Sequence, residues 1–352
     1  MNNKLYISGM GMITALGPSV ATTVAAVKAG KSGYSVSEFR TSDGDQIIMA
    51  RVPDRVFEHI DCQIEEEGDV FNYRHERMIR MAIVALQEAT SKCEVDESVP
   101  FIVALPDDHR NDEGRTPLVP ALENNVRPWV NAQLSRKICT GRAAGLEAID
   151  FAFNYLMDQP QEYLLILGVD SYLDDSILSN YKGRVLIHGA GDAFAPSEAA
   201  CALLLTRSIE LADKRNGFVI AIHKPGLAEE KGHLTSDMPY RGDGLDQAFK
   251  RALEFQPEES IGSIYSSMNG ENHWAKEYGV AYLRNKAKLT DDTKIEHPAD
   301  CYGDIGAATA PMLVSLAVDY LFSKNNNKRC MVYCSSDKAV RGAVVLEKIH
   351  LG

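Results

Sequence analysis

The sequence predicts an α/β fold built from two similar halves, and three observations carry that prediction. Apolar runs of strand length alternate with longer runs of helical period. The same order of parts then occurs twice. The spacing also agrees: Ile102 to Gly145 spans 43 residues and Ile264 to Gly306 spans 42. A duplicated βαβαβ arrangement accounts for all three.

The elements follow in order. Leu5-Tyr6-Ile7, soon interrupted by Gly9 and Gly11, reads as a buried first strand rather than a leader peptide. The first half continues with a strand at Phe101–Leu105, an irregular segment and a helix at Gly145–Met157. Strands at Tyr163–Gly168 and Ala200–Leu205 complete it. A charged stretch from Glu210 to Asn216 places the join near Ile209–Gly217, giving halves 1–208 and 209–352. The second half repeats the order: a strand at Ile261–Ser266, an irregular segment, a helix at Gly306–Leu321, and strands at Arg329–Cys334 and Gly342–Lys348. Both helices are apolar around most of their surface, which predicts burial on both sides.

Composition narrows the function. With 45% hydrophobic and 24% charged residues and no low-complexity tract, the chain folds rather than staying disordered. A net charge of −12 argues against nucleic acid as partner, because phosphate contacts need a basic face. Seven cysteines without a CxxC pair suit reduced thiols in a cytoplasmic protein better than disulfides or a zinc site. No run is expected to reach the roughly 18–20 apolar residues of a membrane span. No phosphate-binding glycine loop and no metal-ligand cluster is present, so no cofactor is expected. The acidic runs Glu65–Glu67 and Glu258–Glu259 read as solvated surface, and Asp107–Arg115 as an exposed loop.

Taken in order, the motifs resemble those of the β-ketoacyl-acyl-carrier-protein synthases of the thiolase superfamily. The resemblance rests on Ile7–Gly17 as first strand and turn, with Ala15 where a proline is usual, and on Val27–Gly33 as the next loop. Gly168–Ser171, Phe194–Ala200 and Gly306–Ala308 follow in the family's order, so it covers nearly the whole chain. It implies a thiolase-like fold, with duplicated βαβαβ halves in a five-layered α-β-α-β-α sandwich. It also implies dimers, with the interface beside the first half's edge strand and the apolar strand Tyr163–Gly168 in or near it. The family's chemistry uses a cysteine at the amino end of the first buried helix, where the helix dipole favours a thiolate. Two histidines assist decarboxylation, and backbone N–H groups hold the oxyanion.

Carried over position by position, that machinery is replaced. The spacing of Arg142-Ala143-Ala144-Gly145-Leu146 puts Arg142 in the nucleophile position. One histidine position falls on Asn269, within Ser267–Glu271, and the other on Gly303. The usual lysine falls on Pro298, and the glycine-rich loop maps to Ser335–Ala339. Cys139, three residues before Arg142, and His273, four past Asn269, are the candidate substitutes. A guanidinium at a helix amino terminus is disfavoured by the dipole, so Arg142 needs an anion. Asp304 and Asp337 are the candidates, and a bound carboxylate or phosphate ligand is the alternative.

The expectation is therefore a non-catalytic β-ketoacyl synthase homologue. It would act as the partner subunit of an active synthase in a polyketide or fatty-acid-like pathway, or as an accessory or adaptor protein such as those beside type VI secretion effectors. The alternative is an active acyltransferase, a 3-oxoacyl-carrier-protein synthase with a non-standard nucleophile such as Cys139. Expected partners are a second copy or a paralogous synthase, with an acyl carrier protein or a secretion effector as further possibilities.

Overall fold

The structure, a computed structural model, describes residues 4–60, 62, 73–93, 99–107, 118–126, 130–254, 261–289, 292–324 and 328–352. The acidic runs Glu65–Glu67 and Glu258–Glu259, and all of the 107–115 loop except Asp107, lie outside the described residues.

The first part of the chain forms β1 (Leu5–Ile13), α1 (Val20–Lys28), the hairpin β2 (Tyr34–Arg40) and β3 (Gln46–Ala50), and α2 (Tyr73–Thr90). It continues through β4 (Pro100–Leu105), α3 (Leu118–Val126), β5 (Asn131–Cys139), α4 (Ala144–Asp158), β6 (Tyr163–Ser171), α5 (Asp175–Ser179) and β7 (Glu198–Thr206). The remainder is β8 (Phe218–Ile222), β9 (Gly226–Glu229), α6 (Asp243–Leu253), β10 (Ser263–Ser266), α7 (Asn272–Arg284), β11 (Lys294–Glu296), α8 (Ala299–Tyr302), α9 (Thr309–Ser323), β12 (Arg329–Ser335) and β13 (Val340–His350).

The strand order β5-β4-β6-β7-β1 is followed by β8-β13-β12-β10-β11. Numbered within each set of five, both run 3-2-4-5-1, read from the outer edge in each case. The directions match too: β4 is parallel to β5 and β6, as β10 is to β11 and β12. β7 is antiparallel to β6 and β1, as β13 is to β12 and β8. The two sets pair through Leu5↔Ile222 and Tyr6↔Ala221.

Successive residues of the central strands point to opposite faces, and both faces are covered, so these strands read as continuous apolar runs. Ile102, Ile166 and Leu203 face inward with Val332, Val344 and Leu346 of the other sheet, and α4 and α9 lie between them. Phe101, Val103, Leu165 and Leu167 face outward against Met78, Met81 and Leu122 of α2 and α3. Ile264, Met331 and Val345 pack outward on Leu245, Phe249 and Ala281 of α6 and α7. The result is the five-layered sandwich. Gly145 fixes the crossing of the middle helices, since a Cβ there would lie 2.5 Å from Pro311 Cδ.

Four expectations change. The first irregular segment contains a helix, α3, and a nine-residue edge strand, β5. Tyr163–Gly168 is an interior strand rather than an open edge, because β6 lies between β7 and β4 and is buried apart from Tyr163. α9 is enclosed, but α4 is not buried all round: Phe151 is 37% exposed and stacks on Tyr155. Finally, among the described residues one segment is long and apolar enough to cross a membrane: Gly306–Ser323, 18 residues with mean hydropathy 1.3, of which 78% is buried inside the fold. A helix clamped between two sheets needs an apolar surface on all sides, which produces the same pattern.

Candidate functional site

The amino end of α4 is where the two halves converge. β5 ends at Cys139, and Gly141 then takes φ +71°, turning the chain through a short 3₁₀ turn (Gly141–Ala143) into α4. The matching turn Gly306–Ala308 leads into α9. Gly306 has φ +51°, and a Cβ on it would collide with the Asp170 carboxylate at 1.8 Å. Asp170 accepts instead from Ala307 N at 3.0 Å and is paired with Arg74.

Arg142 is buried, and every guanidinium nitrogen has a protein acceptor. Nε donates to Ser335 O at 2.9 Å, Nη1 to Asp304 Oδ2 at 2.6 Å, and Nη2 to Asp337. Its plane lies over the Trp274 ring, 4.6 Å from the centroid, a favourable place for a cation. Asp304 Oδ2 also accepts from Asn269 Nδ2 at 2.7 Å, and Oδ1 accepts from Gly306 N at 2.8 Å. Arg184 closes the network, donating to both oxygens of Glu271 and to Asp337 Oδ2. Glu271 in turn accepts from Asn269 Nδ2 and Trp274 Nε1, each at 3.0 Å.

Two guanidiniums thus face three carboxylates. Burial alone would lower the Arg142 pKa, but Asp304 and Asp337 outweigh it and raise it well above its ordinary value. Burial likewise pushes Asp337 upward, yet Arg142 and Arg184 hold it below the usual carboxylate range. Glu271 is lowered in the same way, against burial, chiefly by Arg184. The remaining space around Asn269, Asp304 and Thr309 is about 10 Å³, less than one ordered water occupies. The backbone donor at the helix start is also taken: Ala143 N donates to Ser336 Oγ at 3.0 Å. An ion-pair network fills the space at the amino end of α4.

The sequence positions fare unevenly. Arg142, Asn269, Asp304 and Asp337 come together as expected of one site. Gly303 does not contribute: its φ is +80°, and a Cβ there would lie 2.7 Å from Ala195 O. The residue that faces Arg142 is the next one, Asp304. Cys139 packs with the outer core beneath α2 and α3, away from the α4 terminus. His273 sits edge-on to Trp274 and Tyr240, at 4.7 and 5.2 Å, and burial lowers its pKa. It supports the aromatic wall without touching Arg142. Ser335 and Ser336, in the glycine-loop position, are bonded into the site, and Arg341 holds that turn through Ser336 O, Lys338 O and Val340 O. Arg184, Glu271 and Trp274 were not anticipated as site residues; only Glu271 lay inside a motif that sequence reading singled out. Among the described residues no group of His, Cys, Asp or Glu is arranged to hold a metal.

This fold is the thiolase-like fold of the ketosynthases. Over 98% of each chain it superposes on the ishigamide ketosynthase/chain length factor, with a TM-score of 0.75 and 16% sequence identity. It also matches the ketosynthase in complex with its chain length factor from Xenorhabdus doucetiae, with a TM-score of 0.72, 14% identity and 98% of each chain covered. The ketosynthase from module 6 of the bacillaene synthase of Bacillus subtilis matches at TM-score 0.77 and 14% identity, over 98% of this chain and 72% of that one. No protein-family model and no curated protein matches the sequence.

Proposed function

We propose that this chain is a non-catalytic ketosynthase homologue that serves as the partner subunit of a synthase. The observation that carries the reading is the saturated Arg142: a cation bonded on every nitrogen stands at the helix terminus where acyl transfer needs a thiolate. Similar folds include a ketosynthase bound to its chain length factor, and one bound to an acyl-carrier protein. Those pairings are properties of those proteins and support the same kind of role here.

The partner docks on β5, the outer edge of the first sheet, which pairs with β4 on one side only. Its sequence, Asn-Ala-Gln-Leu-Ser-Arg-Lys-Ile-Cys, holds no acid, and Arg136 and Lys137 are exposed with no carboxylate partner among the described residues. Self-pairing would bring four like charges to one short ladder, which is unfavourable when they lie opposite one another. A non-identical partner with acidic residues on its edge fits better than a second copy.

Intact-mass spectrometry after incubation with an acyl thioester tests the reading. No adduct is expected. A stable adduct mapped to Cys139 would establish the acyltransferase alternative instead.

A further inference from the structure

A cavity of about 410 Å³ lies beside the filled site, bounded by Arg142, Gly141, Tyr172, Tyr181, Asn180 and Arg184, with Thr235 at its rim. That is within the size range of small-molecule sites. Thr235 belongs to the loop between Glu230 and Gly244. The buried Glu230 carboxylate clamps both ends of this loop, accepting from Gly232 N at 3.1 Å and Gly244 N at 2.9 Å. This wall of the cavity is built.

The cations around it have protein partners. Arg142 and Arg184 give every nitrogen to protein acceptors, Lys338 is paired with Asp107, and Arg74 with Asp170. An anionic ligand would compete with the carboxylates already paired to these cations. Among the neutral groups of the lining, the hydroxyls of Tyr172 and Tyr181 and the side-chain amide of Asn180 are the ones available to a ligand, and the Asp107 and Asp337 carboxylates disfavour an anion beside them. Tyr172 is 6% exposed and lines the cavity, and among the described residues its hydroxyl has no hydrogen-bond partner. The phenol positions are fixed by an aromatic cluster in which Tyr172, Tyr181 and Phe194 lie 5.4–5.6 Å apart, centroid to centroid. Burial first, then the charge of Asp304, raises the Tyr172 pKa far above neutrality, so its hydroxyl remains a donor.

We propose that this cavity is a binding site for an uncharged small molecule whose carbonyl or hydroxyl oxygens accept from Tyr172 and Tyr181. The site stands whether or not the chain pairs with a synthase, and its test needs no partner.

Para-hydroxyacetophenone and para-hydroxybenzoate, alike in size and different in charge, are titrated into the full chain by isothermal calorimetry. The neutral ketone should bind, and the carboxylate should bind at least about tenfold more weakly. Tyr172→Phe keeps the ring and removes one donor, so it should weaken the ketone about tenfold, the effect of one hydrogen bond. Should Tyr172→Phe disturb the melting curve, Tyr181→Phe, at a half-buried position, carries the same test. No heat with the ketone, equal binding of the carboxylate, or full affinity in the phenylalanine variants would overturn the assignment.

Discussion

Replacing Arg142 by alanine tests the central electrostatic claim most directly. The substitution strands two carboxylates that the guanidinium now bridges. Removing one partner of a buried pair costs about 3–5 kcal/mol, because the other charge stays desolvated. Two features place this case near the lower end. Asp304, whose side chain is fully buried, retains Asn269 and the Gly306 N–H, while Asp337 is 24% exposed and retains Arg184. Loss of the contact with the Trp274 face adds a smaller amount. A destabilisation of about 3 kcal/mol follows. For a chain of this length that corresponds to a fall in Tm of roughly 6 °C, taking about 2 °C per kcal/mol.

Urea titrations followed by circular dichroism and tryptophan fluorescence measure the difference. A cycle with Asp304→Asn separates the pair from general damage: the double variant should recover on the order of 2 kcal/mol relative to the sum of the singles. The alternative, in which a bound anion neutralises Arg142, gives the opposite result. Without ligand, Arg142→Ala would then melt at or above the parent temperature, and anion-dependent stabilisation of the parent would vanish in the variant. Either outcome would refute the filled-site reading.

Two further predictions use the same network and the open edge. Asp337 and Glu271 have folded pKa values below the ordinary carboxylate range, so their stabilisation is fully present above about pH 5 and is lost as pH falls through those depressed values. Unfolding free energies at pH 7, 4 and 3 should fall more steeply for the parent than for Asp337→Asn. Glu347, lowered chiefly by its bond to His223, contributes to the same slope in both proteins, so equal slopes would show that Asp337 is not coupled as described. At the edge, self-association measured by light scattering should be weak at low salt and strengthen as salt screens Arg136 and Lys137. Leu134→Pro on β5, which removes a ladder donor without adding charge, should abolish association; a tight dimer at low salt, or one indifferent to that substitution, would rule out this edge as the charge-selective surface.

Much of the fold was legible because its periodicities are local. The runs around Ile102, Ile166 and Val332 are continuous, as strands covered on both faces must be, and each central helix is announced by its small-residue turn. β5 escaped because an edge strand facing solvent mixes Gln, Ser, Arg and Lys with single apolar residues, leaving little alternation to read. The apolar run of β6 has a related reason: a run buried on both faces marks the middle of a sheet, not an open edge. The resemblance, carried over position by position, named Arg142, Asn269, Asp304 and Asp337; its second histidine position fell on Gly303, where the backbone leaves no room for a side chain. Arg184 and Trp274 arrive from separate segments, and only the folded geometry unites them.

The ion-pair network also shows how the amino end of the central helix is neutralised in this chain. A helix that begins in the middle layer presents a positive dipole end to a buried region, and negative charge stabilises it there. A thiolate meets that demand in an acyl-transferring enzyme. Here Asp304 and Asp337 meet it, and the cost of burying two carboxylates is offset by the Arg142 guanidinium set between them. The cation is therefore tolerated at a helix amino end only because it arrives with more negative charge than it cancels: Arg142 and Arg184 face Asp304, Asp337 and Glu271. Arg142→Cys alone would leave that excess negative charge against the new thiol, which disfavours its thiolate, and would supply no histidine. Arg142→Cys should therefore take up no acyl group from an acyl thioester, as intact-mass spectrometry would show, because the anions that stabilise the helix end would suppress the thiolate.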